Sequence, residues 1–144
     1  MKLGTTYICV NDMGKSLNFY QLLLQKEPLY CNSDRWIAFD CGKQIALYNK
    51  KYDEKLLREA NGIHFNRAYM DDFFKEDNPK KNNIVIFHFE VADLKREYER
   101  IKSLKIGEVS EIMYVNVHTP YYYFNVTDPD GNILEITGGY EFSV

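Results

Sequence analysis

The sequence predicts an α+β fold made of two tandem βαβββ modules, each a strand, a helix and three further strands, which together form a curved cup of mixed sheets. Two observations support this prediction. An apolar strand, an aspartate and an amphipathic helix occur in this order twice, 81 residues apart. A turn followed by an apolar strand also occurs twice, 89 residues apart. Such internal repetition indicates that one structural unit has been duplicated.

The first repeat surrounds the start of each predicted helix. Val10-Asn11-Asp12-Met13 corresponds to Val91-Ala92-Asp93-Leu94. Asp12 and Asp93 are suitable N-caps, because an aspartate carboxylate accepts hydrogen bonds from the free N–H groups of a first helical turn. Apolar residues then recur at i, i+4 and i+7, which places them on one helix face. These residues are Met13, Leu17 and Tyr20, continued by Leu24, in one copy and Leu94, Tyr98 and Ile101 in the other.

The second repeat lies at the last strand of each module. The segment from Cys41 to Leu47 corresponds to the segment from Asp130 to Ile136, and Asp130-Gly131 is a strong hairpin turn signal. The resulting prediction has a helix at 13–25 and strands near 3–10, 29–33, 35–40 and 43–49 in the first module. In the second module it has a helix at 94–104 and strands near 83–91, 106–113, 119–127 and 132–138.

We expect a single domain over residues 1–144, with module one at 1–50, a connecting segment at 51–81 and module two at 82–144. The connecting segment has room for two helical turns at its start. It continues with Phe65, Tyr69 and Phe73, which make it too apolar for a free linker. Long ordered connections are often lids over a binding site. The alternative, that the segment wraps the outside of the sheets, stays open at this point.

Composition excludes several classes of function. A net charge of −3 and a pI near 5.6 argue against a nucleic-acid partner, which favours a basic surface. No apolar run approaches the length of a membrane span. The three cysteines, Cys9, Cys31 and Cys41, form no CxxC pair and predict neither a disulfide framework nor a zinc site. The first residues do not resemble a signal peptide, so we expect a cytoplasmic protein.

Strand alternation predicts which side chains face the concave side of each sheet. Because the more apolar set should lie under the module's helix, the concave set contains Tyr7, Tyr48, His88, Glu135 and Thr137. For the middle strand of the first module, either Trp36 and Ala38 or Ile37 and Phe39 could face inward. Aromatic residues make up 15% of the chain, with 12 tyrosines. A surface that mixes aromatic and polar groups in this way is typical of a small-molecule pocket.

The paired modules, the Val-x-Asp before each helix and the segment Asp128-Pro129-Asp130-Gly131-Asn132-Ile133-Leu134-Glu135 resemble the vicinal oxygen chelate superfamily. This superfamily includes glyoxalase I, extradiol dioxygenases, fosfomycin resistance enzymes and bleomycin-binding proteins. The resemblance covers nearly the whole chain and is weakest in the connecting segment. The Asp-Pro-Asp-Gly-Asn motif is specific for the superfamily but not for any activity within it.

The resemblance implies a divalent metal held by the first and last strand of each module. The corresponding positions here are Thr5, Ala46, Ile86 and Glu135. One carboxylate and one hydroxyl are too few for a catalytic divalent cation, so we expect no metal and no other cofactor. A divalent metal is the alternative. An alignment shifted by two residues would place His88 in the ligand role, which still leaves only a histidine and a glutamate.

The leading hypothesis for function is a metal-free protein that binds a small aromatic or cationic organic molecule, as bleomycin-binding proteins do. Its expected ligand-binding residues are Tyr7, Trp36, Tyr48, Tyr122 and Thr137. The resemblance also implies a homodimer. An enzyme is the alternative, a lyase or isomerase of the glyoxalase type. Its catalytic candidates are Glu135, as base or metal ligand, and His88, as its acid–base partner. A third possibility is a structural module with no small ligand.

Overall fold

Both predicted modules fold in the order strand, helix and three strands, which confirms the two βαβββ modules and the α+β class. The computed structural model of the chain describes residues 5–59, 64–65, 67–74, 86–116 and 120–141. The chain divides into two units, Met1–Lys81 and Asn82–Val144. None of the helices in these described ranges is both long and apolar enough to cross a membrane.

The first unit contains one mixed four-stranded sheet. Its elements are β1 (Thr6–Val10), α1 (Met13–Leu24), β2 (Tyr30–Asn32), β3 (Trp36–Asp40), β4 (Gln44–Asn49), α2 (Lys50–Glu59) and α3 (Arg67–Phe73). The strand order is β1-β4-β3-β2, with β1 parallel to β4 and the other pairs antiparallel. The parallel pair is possible because α1 provides the crossover connection.

The second unit repeats this arrangement. Its elements are β5 (Phe87–Asp93), α4 (Leu94–Leu104), β6 (Met113–Asn116), β7 (Pro120–Thr127) and β8 (Ile133–Gly139). The strand order is β5-β8-β7-β6, again with one parallel pair between the first and last strands. The glycines of the repeated turns, Gly42 and Gly131, both have positive φ angles, of 89° and 83°. Glycine adopts this conformation without the steric cost that a Cβ atom imposes.

The predicted caps and helix faces are present in both units. Asp12 accepts a hydrogen bond from the Lys15 N–H at 3.0 Å, and Asp93 accepts one from the Arg96 N–H at the same distance. Two residues of the predicted apolar stripe are buried in each helix, whereas Leu24 at the end of α1 is half-buried. The buried stripe residues are Met13 and Tyr20 on α1 and Leu94 and Ile101 on α4. Each helix therefore packs one face on its own sheet, where burial of apolar surface stabilises the unit.

The structure differs from the prediction in two places. Within the strand predicted at 106–113, Val109 forms an isolated antiparallel bridge with Val126, and the continuous strand begins at Met113. Ser110 donates its backbone N–H to the Asn125 oxygen at 2.9 Å, but the Asn125 N–H donates to the Ser110 hydroxyl at 2.9 Å, so that a side chain replaces one bond of the ladder. Helix α3 was not predicted. The strand predictions for residues 3–4, 83–85 and 119 lie outside the described residues.

Candidate functional site

Three aromatic side chains form a cluster on one face of the first sheet, which we call the aromatic platform: Tyr7, Trp36 and Tyr48. The ring centroids of Tyr7 and Trp36 are 5.1 Å apart, and those of Tyr7 and Tyr48 are 6.1 Å apart. The Trp36 and Tyr48 rings are 6.3 Å apart. All three separations lie in the range in which aromatic rings attract one another. Tyr7 is 54% exposed, so the platform presents ring surface to solvent.

The strand register explains why these rings meet. Tyr48 on β4 lies opposite Trp36 on β3, and Tyr7 on β1 lies opposite Ala46, two residues before Tyr48. Side chains of one face alternate along a strand, so the three rings share a face. The register also decides the alternative left open by the sequence, because it places Trp36 on the platform face and Ile37 on the buried helix side.

A buried carboxylate lies beside the platform. The side chain of Asp53, in the first turn of α2, is completely buried. Arg35 donates to it from Nε at 2.6 Å and from Nη2 at 2.9 Å. The hydroxyls of Tyr48 and Tyr69 each donate to Oδ2 at 2.7 Å. Such a bidentate arginine pair is both strong and geometrically defined. The network therefore fixes one platform ring, Tyr48, by its hydroxyl.

The same contacts set the protonation states of the network. Burial alone would raise the pKa of Asp53, but the hydrogen bonds from Arg35, Tyr69 and Tyr48 outweigh it and lower this pKa. Burial raises the pKa of the Tyr48 phenol, and its hydrogen bonds to Tyr69 and Asp53 raise it further. The hydrogen bond to Asp53 raises the pKa of Arg35. Near neutral pH, Asp53 is therefore ionised while Arg35 and Tyr48 carry their protons.

The network ties the connecting segment to the platform. Tyr69 lies on α3, and its hydroxyl is 3.2 Å from that of Tyr48. Its ring stacks on Phe65 with centroids 4.6 Å apart and contacts Phe73 at 5.9 Å. Phe65, Tyr69 and Phe73 thus pack on one another, and the Tyr69 hydroxyl links them to Tyr48 on the sheet. Whether the segment acts as a lid stays a prediction.

In the second unit, the structure brings the two catalytic candidates side by side. His88 on β5 lies opposite Glu135 on β8 in the parallel register, and Thr137 follows on the same face. The His88 Nε2 and Glu135 Oε1 atoms are 4.0 Å apart. This separation is too long for a hydrogen bond but allows an ion pair if the imidazole is protonated. The hydroxyl of Thr137 donates to the backbone oxygen of Tyr122 at 2.7 Å.

The side chain of Tyr122 does not lie with the other candidates. It shares its face of β7 with Phe124, which packs on the helix side, whereas Tyr123 lies opposite Thr137. Tyr122 stacks on Tyr114 at 4.5 Å and contacts Tyr140 at 5.0 Å. Tyr122 therefore lies on the opposite sheet face from Glu135 and Thr137, and its role in ligand binding stays a prediction. Because side chains alternate between the two faces of a strand, Tyr123 is the residue that shares the face of Thr137.

The positions that the resemblance assigns to a metal do not suit one. Ala46 is completely buried and Ile86 is exposed, and neither carries a donor atom. The hydroxyl of Thr5 donates to the Gln44 side chain at 3.1 Å. Among the described residues, no three His, Cys, Asp or Glu side chains lie close enough to hold a metal ion together. Glu135 is thus the single strong ligand of this set.

Two clefts lie apart from the platform and from the His88–Glu135 pair. One, of about 380 Å³, lies in the first unit between the end of β1, the start of α2 and the end of α3. The other, of about 340 Å³, lies in the second unit beside the start of α4 and the end of β8. Neither of these two clefts is lined by a predicted site residue.

Sequence reasoning missed Arg35, Asp53 and Tyr69. Asp53 starts a helix whose sequence is mostly charged, and its neighbours Glu54, Lys55 and Arg58 face solvent or pair with one another. One signal was present in the sequence. Asp53 precedes Leu56 and Leu57 by three and four residues, so it lies on the apolar stripe of α2. A carboxylate in such a position requires a buried partner.

Comparisons with known proteins agree with this geometry. A profile of the family described as the Glyoxalase/Bleomycin resistance protein/Dioxygenase superfamily matches residues 2–136. A solved glyoxalase-related enzyme from Fulvimarina pelagi superposes with a TM-score of 0.64 at 15% identity, covering 96% of this chain and 88% of that one. No curated protein sequence matches significantly.

Two further solved structures are similar. Lactoylglutathione lyase from Agrobacterium tumefaciens has a TM-score of 0.61 at 17% identity, with 96% of this chain and 93% of that chain covered. A glyoxalase/bleomycin resistance protein from Catenulispora acidiphila has a TM-score of 0.58 at 14% identity, with 96% and 100% covered. At such identities the likeness shows a common fold only.

Proposed function

We propose that this chain, which belongs to the Glyoxalase/Bleomycin resistance protein/Dioxygenase superfamily, binds a small aromatic organic molecule without a catalytic metal. The aromatic platform carries this proposal. Three rings converge on one sheet face, one of them is half exposed, and another is held by a buried network. Rings arranged in this way offer a rigid surface on which a flat ligand can stack.

The composition of the metal positions supports the metal-free part of the proposal. Alanine and isoleucine occupy two of the four positions, and a threonine that already bonds to Gln44 occupies the third. A catalytic divalent cation generally takes three or more protein ligands. A tightly bound equivalent of zinc, nickel, manganese or iron in the purified protein, measured by elemental mass spectrometry, would contradict this part.

The platform can be tested through its own fluorescence, because Trp36 is the single tryptophan of the chain. A flat aromatic ligand stacked there is expected to quench this fluorescence with a saturating dependence on concentration. The Tyr7→Ala variant removes an exposed ring from the platform and is expected to weaken binding about tenfold. Binding should survive dialysis against a chelator.

Tyr114→Ala is the matched control, since Tyr114 is 51% exposed but lies in the second unit. Its binding curve should equal that of the unmodified protein. Thermal unfolding of both variants checks that each is folded. Equal binding by both variants and the unmodified protein would show that the platform is not the ligand site.

The second candidate function is a lyase or isomerase of the glyoxalase type, and the His88–Glu135 pair favours it. The two side chains are register neighbours on parallel strands with Nε2 and Oε1 4.0 Å apart. Glu135 could remove a proton from a bound substrate, and His88 could stabilise the charge that then remains. Both groups come from one unit and need no metal for this role.

This second function predicts turnover of the hemithioacetal that forms from methylglyoxal and a thiol. Glu135→Gln keeps the shape of the side chain but removes the base, so the rate is expected to fall by about 10²-fold or more. Glu90→Gln is the control, because Glu90 is exposed on the same strand and face as His88. No turnover by the unmodified protein, or an equal loss in both variants, would argue against catalysis by Glu135.

A further inference from the structure

The charged groups beside the platform differ sharply in their accessibility. The carboxylate of Asp53 is completely buried, and both of its oxygens accept hydrogen bonds from Arg35. Oδ2 also accepts from the hydroxyls of Tyr48 and Tyr69. A cationic ligand on the platform therefore cannot reach this carboxylate without breaking bonds that the fold already makes.

The guanidinium of Arg35, by contrast, is accessible. Its side chain is 41% exposed, and its Cζ atom lies 5.5 Å from the centre of the Tyr48 ring. A guanidinium has five N–H donors, and Asp53 occupies Nε and one position on Nη2. Within the described residues, no other side chain accepts from Arg35. The two bonds to Asp53 hold the planar group in a fixed orientation next to the platform.

From this geometry we infer that the preferred ligand is a flat aromatic compound carrying a carboxylate or a similar anionic acceptor. Its ring stacks on Tyr7, Trp36 and Tyr48, and its anionic group accepts hydrogen bonds from the remaining N–H donors of Arg35. The inference rests on the proposed ligand-binding function and names its ligand class. The proposed ligand has the opposite charge to the cationic ligand expected from the sequence, because Asp53 is buried and Arg35 is accessible.

Arg35 is expected to increase the affinity for an anionic ligand through its oriented N–H donors more than through its net charge. The Asp53 carboxylate offsets the guanidinium charge, but the free N–H groups remain in place for a planar acceptor. Hydrogen bonds to charged groups are stronger than those between neutral groups. A carboxylate is therefore expected to bind about tenfold more tightly than a neutral amide of the same shape.

Three related nitroaromatic compounds test the inference on the unmodified protein: 4-nitrobenzoate, 4-nitrobenzamide and 4-nitrobenzylamine. They share a flat ring that quenches tryptophan fluorescence and differ in charge. The inference expects the benzoate to saturate the quenching of Trp36 at the lowest concentration and the amine at the highest. If all three bind equally, or if the amine binds most tightly, the inference is overturned while the platform still stands as the binding site. If none saturates, the proposed function itself fails.

Arg35→Lys provides the second test. Lysine keeps the positive charge but loses the planar fork, so the preference for benzoate over benzamide should fall to about twofold or less. Arg58→Lys is the matched control, since Arg58 also bonds to a carboxylate through Nε and Nη2 but lies on α2 with Glu54 as its partner. It should keep the full preference. A preference unchanged in Arg35→Lys would assign the effect to another group.

Discussion

Replacing Asp53 with asparagine is expected to lower the free energy of unfolding of the first unit by about 3 kcal/mol. The change leaves Arg35 and two tyrosine hydroxyls without the ionised acceptor that all of them share. Breaking a buried ion pair generally costs more than removing both partners, because the remaining groups stay desolvated. We expect the lower end of the known range, since part of Arg35 remains in contact with water.

Urea unfolding followed by Trp36 fluorescence measures this loss, because the single tryptophan lies in the same unit. Glu54→Gln is the matched control. Glu54 is the next residue in the chain and pairs with Arg58 across one turn of α2. Exposed pairs of this kind contribute only about 0.5 kcal/mol. If the two variants shift the unfolding midpoint equally, the Asp53 network does not stabilise the unit.

The contribution of Asp53 to the free energy of unfolding should decrease as the pH is lowered. Its pKa is lower in the folded protein than in the unfolded chain, where it is about 3.9. The contribution to stability is therefore present above that pH and is lost as the pH falls through the folded-state pKa. The difference between the unmodified protein and Asp53→Asn should be constant near neutral pH and should shrink below about pH 4. A difference that grows on acidification would contradict the direction of the shift.

Gly138→Ala is expected to destabilise the second unit by about 3 kcal/mol. A Cβ atom at this position would lie 2.3 Å from the backbone oxygen of Val91 and 3.0 Å from its Cγ2 atom. Gly138 is paired with Val91 next to an irregularity in the register of β5 and β8. The backbone oxygen cannot move away as a flexible side chain could, so the two strands must separate. The same strands hold His88 and Glu135 together.

Thermal unfolding measured by circular dichroism, together with hydrogen exchange of the β5 and β8 peptides, checks this expectation. Gly139→Ala is the closest control, because a Cβ there would lie 3.1 Å from the backbone oxygen of Ala92 and needs only a small adjustment. We expect its cost to be about 1 kcal/mol or less. Equal stability of the two variants would mean that the strands tolerate the added methyl group.

Much of the fold could be predicted because its signals are local. An aspartate before an amphipathic stripe specifies a capped helix, and a glycine in a tight turn specifies where the last strand begins. Both signals occur in each module, so Asp12 and Asp93 together indicated the duplication. Strand alternation also assigned Tyr7, Tyr48 and Glu135 to their faces, since the period of two depends only on backbone geometry.

The sequence was least informative where contacts distant in sequence decide the structure. The Ser110 hydroxyl accepts a bond that a backbone oxygen would accept in a regular ladder, so the segment predicted as a strand forms an isolated bridge at Val109 before β6 begins at Met113. Tyr122 lies in a run of tyrosines in which only the pairing with β8 shows which ring faces which side. No local pattern carries this information, because a shift of one residue moves every side chain to the other face.

The amino-acid sequence alone therefore determined the family, the two modules and the helix caps, all of which depend on residue type and short spacings. Only the tertiary structure showed that Asp53 is buried and that Arg35 is the accessible member of their pair. The two residues are 18 positions apart and belong to different elements. Which charge of an ion pair remains available to a ligand depends on burial, and burial is a property of the packed fold.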